Sequence, residues 1–341
     1  MRLKLSLGVV ALSLGLLISL SSAITAAAQT PEPRQPGQDQ DADVIKVSTN
    51  LVTVPVSAMD RNGRFIADLT QDQFHLFEDG VEQRIAFFDN AQSPFTVALL
   101  LDVSDSTVRK LDQIKSAASG FINELRDDDR VMIVTFDKRI TVLCAPTNDH
   151  RIVNAIIAGV KSGGGTSAYD AIDLVVSRQL KRIRGRKAMV VFTDGVDTTS
   201  NAATYDSTVR AAEEVDALIY TIQYNTYDDV MKSQTASYES SQMRPQVVTS
   251  RGEPLAVAYK RATNYLQLLA DKSGGRFYYA AGLNYLEGIF SRIAAELREQ
   301  YSLAYYPANK SEDKKKRDLR IRVDAPNVAL RYRRSYIYSP R

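Results

Sequence analysis

Two hydrophobic periods alternate along this chain. From Val44 to Asn90, Val47, Leu51, Val52, Val54 and Val56 are followed by Arg64-Phe65-Ile66, Phe74 to Glu78 and Val81 to Phe88. Short runs of this kind read as strands. Pro55 points to a sheet edge, and Asp60-Arg61-Asn62-Gly63 and Asp79-Gly80 supply hairpin turns. No helix of ordinary length fits this segment. At Phe95 the period changes. Predominantly apolar runs (Phe95 to Leu101, Val131 to Phe136, Ile140 to Cys144, Ala188 to Phe192, Ala217 to Gln223, Arg276 to Tyr279) alternate with helical patterns. The first helix carries Leu111, Ile114, Ala118, Phe121, Ile122 and Leu125 on one face; others carry Ile152, Ile156 and Ile157, then Ala171, Ile172, Val175, Val176 and Leu180. Further helices are predicted near Ser207 to Val215, over Val257 to Lys272 and over Leu283 to Gln300. Strands too apolar to face water, alternating with helices, predict a doubly wound, mainly parallel α/β sheet.

After Tyr301 the strand period returns, at Tyr301 to Tyr306, Leu319 to Val323 and Val328 to Tyr338, with Lys310 to Arg317 as a charged turn. Neither β segment has room for an adequate core alone, and each would leave open sheet edges. They are therefore expected to combine into one small β-sandwich-like domain, with its N-terminal part at 44–92 and its C-terminal part at 301–341, and with the α/β domain, 93–300, inserted between them. Residues 225–254 break the α/β rhythm: rich in Ser, Gln, Tyr, Asp and Thr, they show no convincing period and read as a poorly ordered insertion.

Before residue 44 the chain carries no fold signal. Arg2 and Lys4 precede an apolar run from Leu5 to Leu20, and Ala26-Ala27-Ala28 offers a small-residue cleavage site, so residues 1–28 are expected to be a cleaved secretory signal peptide. That run is short for a membrane span. Residues 29–43 (Gln, Pro, Asp, Gly) read as a disordered leader. Export to the periplasm or medium is the expectation, with no stable membrane span after cleavage. Within 341 residues, Cys144 is the single cysteine, so no intramolecular disulfide is possible and the fold rests on its core. Net charge is +3, unevenly spread: residues 310–341 hold eleven Lys or Arg against four Asp or Glu. Without a nucleic-acid motif, that basic end reads as a solvated strand face and loop, and no nucleic-acid partner is expected.

Candidate chemistry sits where the apolar strands end. Asp102-Val103-Ser104-Asp105-Ser106 follows the first parallel strand, Thr193-Asp194-Gly195 follows a later one, and Gly163-Gly164-Gly165-Thr166 lies between them. Residues just past the carboxyl ends of strands line the ligand crevice of an open parallel sheet. Two carboxylates and three hydroxyls there form a hard-oxygen set suited to a divalent cation, Mg²⁺ first and Mn²⁺ or Ca²⁺ as alternatives. The glycine run lacks the spacing of a phosphate-binding loop.

The D-x-S-x-S, later Thr and later T-D-G order resembles the metal-ion-dependent adhesion site of von Willebrand factor type A domains. Phe77-Glu78-Asp79-Gly80 and Glu299-Gln300-Tyr301-Ser302-Leu303 are also similar to a secreted bacterial family of such proteins first described in acidobacteria. The resemblance implies a metal site of Asp102, Ser104, Ser106, Thr166 and Asp194, with hydroxyls binding the cation directly and the Asp residues directly or through water. It implies a non-catalytic adhesion module whose cation bridges to an Asp or Glu carboxylate of a protein ligand. Asp105 departs from the glycine that many relatives have there. The competing reading is a metal-dependent phosphatase with Asp102 as nucleophile; Ser104 then stands where such enzymes carry a second Asp. No G-x-S-x-G, H-E-x-x-H or C-x-x-C occurs, and His75 and His150 are expected to be structural.

Overall fold

In a computed structural model the described residues are 51–90, 93–235, 247–309 and 315–338. The segments expected to be a signal peptide and a leader, and the start of the first β segment, fall outside them. No helix among the described residues is long and apolar enough to cross a membrane.

The centre is a six-stranded sheet in the order β10-β9-β8-β5-β6-β7. Its strands are β5 (Phe95–Asp102), β6 (Arg130–Phe136), β7 (Ile140–Thr147), β8 (Arg186–Thr193), β9 (Leu218–Tyr224) and β10 (Phe277–Ala280). All neighbours are parallel except β7, which runs antiparallel to β6 at one edge. Along β5, Val97, Leu99 and Leu101 enter one apolar core with α1 (Leu111–Glu124), α2 (His150–Ala158) and α7 (Leu286–Arg298). Ala98 and Leu100 enter the opposite core with α3 (Ala168–Asp173), α4 (Tyr205–Glu214) and α6 (Leu255–Ser273). Side chains alternate across a strand, so a strand apolar at every position needs a helical layer on both faces. This is the doubly wound sheet predicted above.

The β segments form two four-stranded sheets, and each sheet takes strands from both sides of the α/β region. One has the order β13-β1-β11-β4 and the other β14-β12-β2-β3. Their strands are β1 (Val52–Met59), β2 (Phe74–Glu78), β3 (Val81–Gln83), β4 (Ile85–Asp89), β11 (Tyr301–Tyr305), β12 (Lys316–Val323), β13 (Ala329–Arg331) and β14 (Ser335–Ile337). Val54 and Val56 of one sheet and Leu76, Leu319 and Ile321 of the other share one core with Tyr301, Tyr305 and Tyr336. Inside it, Glu78 is 2% exposed; its Oε1 accepts from Arg317 at 2.9 Å and its Oε2 from Tyr336 at 2.6 Å and from Tyr305.

One buried arginine fastens a β sheet to the α/β layer, and a second braces the α/β layer itself. Arg333 donates to Val215 O at 3.0 Å and to Thr53 O at 2.7 Å, and Arg186 donates to the carbonyls of Ser93 and Leu297. Glu296 of α7 is fully buried; it accepts from Ser57 Oγ at 2.9 Å and pairs with Arg331. Gly274 caps α6 with φ of 81°, and a Cβ there would lie 2.4 Å from Arg333 N, so both its backbone angle and the close approach demand glycine.

Four sequence expectations are corrected. Residues 225–254 are not irregular throughout: α5 (Tyr227–Thr235) lies within them. Its polar, Asp-rich surface gives little apolar period, which hid the helix. The helix expected around Ala171 to Leu180 is α only to Asp173 and continues as a π turn over Leu174–Gln179. The last helix begins at Leu286 after a short turn over Leu283–Tyr285. Lys316 and Arg317, assigned to a charged turn, open β12, where Arg317 points inward to Glu78.

Replacing Glu78 with Ala would leave the Arg317 charge buried without its partner, which costs about 3–5 kcal/mol. Urea unfolding should show that loss; a change under about 1 kcal/mol would contradict the role assigned to Glu78. His75 bonds Glu82 at 2.7 Å and Asp324 at 3.0 Å, and these partners raise its pKa above the ordinary 6.5. The imidazolium's contribution to stability is therefore complete below pH 6.5 and lost as pH rises through the raised value. An NMR titration should place the His75 midpoint above 6.5 and Glu82→Gln should lower it; a wild-type midpoint at or below 6.5 refutes the bridge.

Candidate metal centre

Each segment singled out in the sequence lies at the carboxyl end of the central sheet. Asp102 is the last residue of β5 and is fully buried. Its Oδ1 accepts from Ser104 N at 3.0 Å, the Asp-turn geometry that bends the chain after the strand. Its Oδ2 accepts from Thr193 Oγ1 at 2.5 Å, across from the end of β8. Ser104 Oγ lies 3.1 Å from Ser106 Oγ, and Ser106 Oγ donates to Asp194 Oδ2 at 2.9 Å. Asp194, 2% exposed, turns its other oxygen to Val196 N at 3.0 Å. Asp102, Ser104, Ser106 and Asp194 thus form one connected polar chain.

Thr166 is attached differently. It is 5% exposed, and among the described residues no hydrogen bond joins its hydroxyl to the other four. Its backbone is held by the loop after Asp194: Thr166 N donates to Thr198 Oγ1 at 2.9 Å, and Thr198 N and Thr199 N donate to Thr166 O at 2.8 and 3.0 Å. The glycines before it rest on the first loop, with Gly163 N donating to Val103 O at 2.7 Å. Asp105 is exposed, and a Cβ at Gly164 would sit 3.4 Å from its Oδ2, which places this additional acid beside the glycine run.

Three residues join the site that the sequence reading did not single out. Thr193 was quoted as part of the T-D-G turn, yet its hydroxyl holds Asp102 and also accepts from Gly195 N at 2.9 Å. Thr226 is fully buried and donates to Asp194 Oδ2 at 2.7 Å. It stands two residues beyond β9, so the strand-end rule that found the Asp residues would have found it too. Arg251 had no sequence signal. It donates to Thr198 O at 2.9 Å and Ser200 O at 2.7 Å and pairs with the buried Asp197 at 3.2 Å. Burial raises the Asp197 pKa and the hydrogen bond from Ser200 opposes that rise. A loop position just after Thr193-Asp194-Gly195 suggests a solvated acid, yet Asp197 is 2% exposed.

The electrostatics show what the site lacks. Asp102 is pushed up to about 7, first by burial and then by the neighbouring Asp194 carboxylate. Burial, with the two carboxylates adding to it, also raises the phenols of Tyr224 and Tyr259, which stay neutral. Among the described residues no Lys or Arg pairs with Asp102 or Asp194, and no group of three or more His, Cys, Asp and Glu is arranged to hold a metal ion. Two buried carboxylates fronted by hydroxyls, without a protein cation, fit a hard divalent ion that retains water or an outside ligand. They do not fit a thiolate or imidazole metal site.

The sequence model for the von Willebrand factor type A domain matches residues 97–196, a span that contains Asp102, Ser104, Ser106, Thr166 and Asp194. The chain carries a von Willebrand factor type A domain. An uncharacterized protein of the cyanobacterium Synechocystis is 25% identical over 154 residues, covering 43% of this chain and 37% of that protein. A von Willebrand factor type A structure from Catenulispora acidiphila aligns at 9% identity over 85% of this chain and 74% of its own, with a TM-score of 0.46. Proximal thread matrix protein 1 of the mussel byssus, solved with zinc in its own metal-ion-dependent adhesion site, aligns at 12% identity over 65% of this chain and 49% of its own, with a TM-score of 0.45. Among the described residues, Arg251 reaches Thr166 through the 197–200 loop.

Replacing Arg251 with Ala should therefore loosen Thr166 without touching it. Hydrogen exchange at the Thr166 and Thr198 amides should accelerate about tenfold or more, equivalent to roughly 1.4 kcal/mol of lost local stability. Protection equal to wild type would remove Arg251 from the site's framework.

Proposed function

We propose that this chain is an exported, metal-dependent protein-binding module in which a divalent cation, most simply Mg²⁺, is held by Asp102, Ser104, Ser106, Thr166 and Asp194. The observation that carries the reading is the polar chain from Asp102 through Ser104 and Ser106 to Asp194, whose two carboxylates are buried and, among the described residues, have no Lys or Arg partner. Two acids and three neutral hydroxyls leave a bound cation electron-poor, and its chemistry would then be to accept a carboxylate oxygen from an Asp or Glu of a partner protein. The residues themselves do the positioning. Thr193 fixes the rotation of Asp102, Thr226 and Ser106 fix that of Asp194, and the 197–200 loop presents Thr166.

We assign the adhesive region to 93–300 and the supporting β-sandwich to 44–92 with 301–341. Strand pairing across the inserted region supports these boundaries. Export rests on the signal-like residues 1–28. The phosphatase alternative is disfavoured by Asp102 itself. A nucleophilic carboxylate must offer an oxygen to substrate, whereas Asp102 is 0% exposed and both its oxygens accept hydrogen bonds within the fold.

Thermal melts with MgCl₂, MnCl₂ and CaCl₂ test the metal site. A cation at one hundred times its Kd stabilises the folded state by about 2.7 kcal/mol; chelation should reverse the shift, and Asp102→Asn and Asp194→Asn should abolish it. No shift with any cation at millimolar concentration would sink the metal reading. Turnover of generic phosphoesters that disappears in Asp102→Asn would sink the non-catalytic one.

A further inference from the structure

The glycine run before Thr166 is unexplained by cation binding alone, and it leads to a cavity. Between β7 and α2 lies an open pocket of about 450 Å³. Val103, Leu143, Ile156 and Val160 form an apolar part of its lining, beside Thr135, Thr141 and Asp137, and the exposed Arg139 and Lys161 complete it. Val103 is the residue between Asp102 and Ser104, so pocket and metal loop share a wall. Gly163 joins them from the other side: its N–H bonds Val103 O at 2.7 Å, and a Cβ there would lie 1.6 Å from Oδ2 of Asp137, another pocket residue. Gly163, Gly164 and Gly165 therefore lay a side-chain-free backbone path from Thr166 to the pocket.

Charge on the two flanks of the site is unequal. On one flank the cations are already used: Lys110 pairs with Asp229 at 2.6 Å and Arg251 with Asp197 at 3.2 Å. On the pocket flank Lys138, Arg139 and Lys161 are exposed and have no ion pair or side-chain hydrogen bond among the described residues. Against these three cations stand two acids: Asp137, which lines the pocket and accepts from Arg139 N at 2.5 Å, and exposed Asp105 beside Gly164, so the flank keeps a net positive charge. Apolar side chains beside a few polar and charged groups can select a ligand, and unpaired cations there attract and orient acidic partners.

We infer that this pocket is a second recognition subsite, and that the partner is an acidic peptide segment with a carboxylate–apolar–carboxylate pattern. The inference rests on the reading that a partner carboxylate meets the bound cation. From that carboxylate the segment crosses the glycines, places its apolar side chain on Val103, Leu143, Ile156 and Val160, and presents its second acid to Arg139 and Lys161.

Two fluorescently labelled peptides, Gly-Asp-Leu-Asp-Gly and Gly-Asp-Gly-Gly-Gly, decide the matter by fluorescence anisotropy with the full chain in MgCl₂. The palindromic core removes any dependence on chain direction. The first should bind about tenfold tighter or better, with an advantage that shrinks as salt rises. The double variant Arg139→Gln, Lys161→Gln should lose most of that advantage. Gly164→Leu should lose it too, because a Cβ at Gly164 meets nothing nearer than 3.4 Å and the larger side chain obstructs the path without displacing backbone. Both variants should keep the wild-type Mg²⁺ titration, which shows that they fold and that the metal loop is intact. Equal binding of the two peptides, failure of both to bind, or an advantage that survives both variants would each overturn the subsite. Competition by inorganic tripolyphosphate that erases the peptide difference would also overturn it, since bare charge would then explain the binding. An advantage that persists under chelation would uphold the subsite while removing the cation bridge beneath it.

Discussion

Two carboxylates buried side by side without a counter-ion are the constraint around which the upper face of this molecule is arranged. Burying one ionised carboxylate is costly and burying two together is worse. The fold answers by directing hydrogen-bond donors at them. Thr193 and the Ser104 amide serve Asp102, while Ser106, Thr226 and the Val196 amide serve Asp194. These donors come from three strand ends and the loops that follow, so the loops must keep a common register. The hydrogen bonds stabilise the negative charge without cancelling it, as the raised Asp102 shows. A site built this way retains attraction for a cation because its protein partners are neutral.

Rigidity below the site comes from a different use of charge. Arg186, Arg331 and Arg333 are buried deeply enough that burial pulls all three guanidiniums below the usual arginine value. Arg333 and Arg186 spend their donors on backbone carbonyls of separate elements, and Arg331 meets Glu296 of α7. A guanidinium offers five donors in a fixed plane, so one residue can fix the separation of several chain segments. The α/β layer and the two β sheets are held together by such planes as well as by apolar contact.

Much of this was legible in the sequence, and the misses have a common cause. Strands β5, β6, β8 and β9 announced themselves because helices cover both faces and leave few polar positions between their ends. Asp102, Ser104, Ser106 and Asp194 were found because strand ends in a parallel sheet are predictable places. Thr166 was located by motif order, but its attachment through Thr198 and Arg251 depends on contacts across 32 and more residues that no local pattern encodes. The helix α5 was missed because its surface is polar. Arg317 was placed in a turn because a charged residue at a strand start looks solvated, when it in fact answers Glu78 across the core. Local pattern reveals which segments must be buried, whereas long-range pairing decides which polar residues may join them.

The pairing of β4 with β11 sets Asp89 opposite Ser302, so the strands that lead into and out of the α/β region lie side by side in one sheet. A pull delivered at the start of β1 and the end of β14 would load β1 against β11 and β13, and β14 against β12, first. The α/β sheet hangs from this clasp as a closed loop, outside the line of tension until the clasp opens. For a molecule that grips a partner, the gripping surface then keeps its shape under load while the strands beneath bear the force.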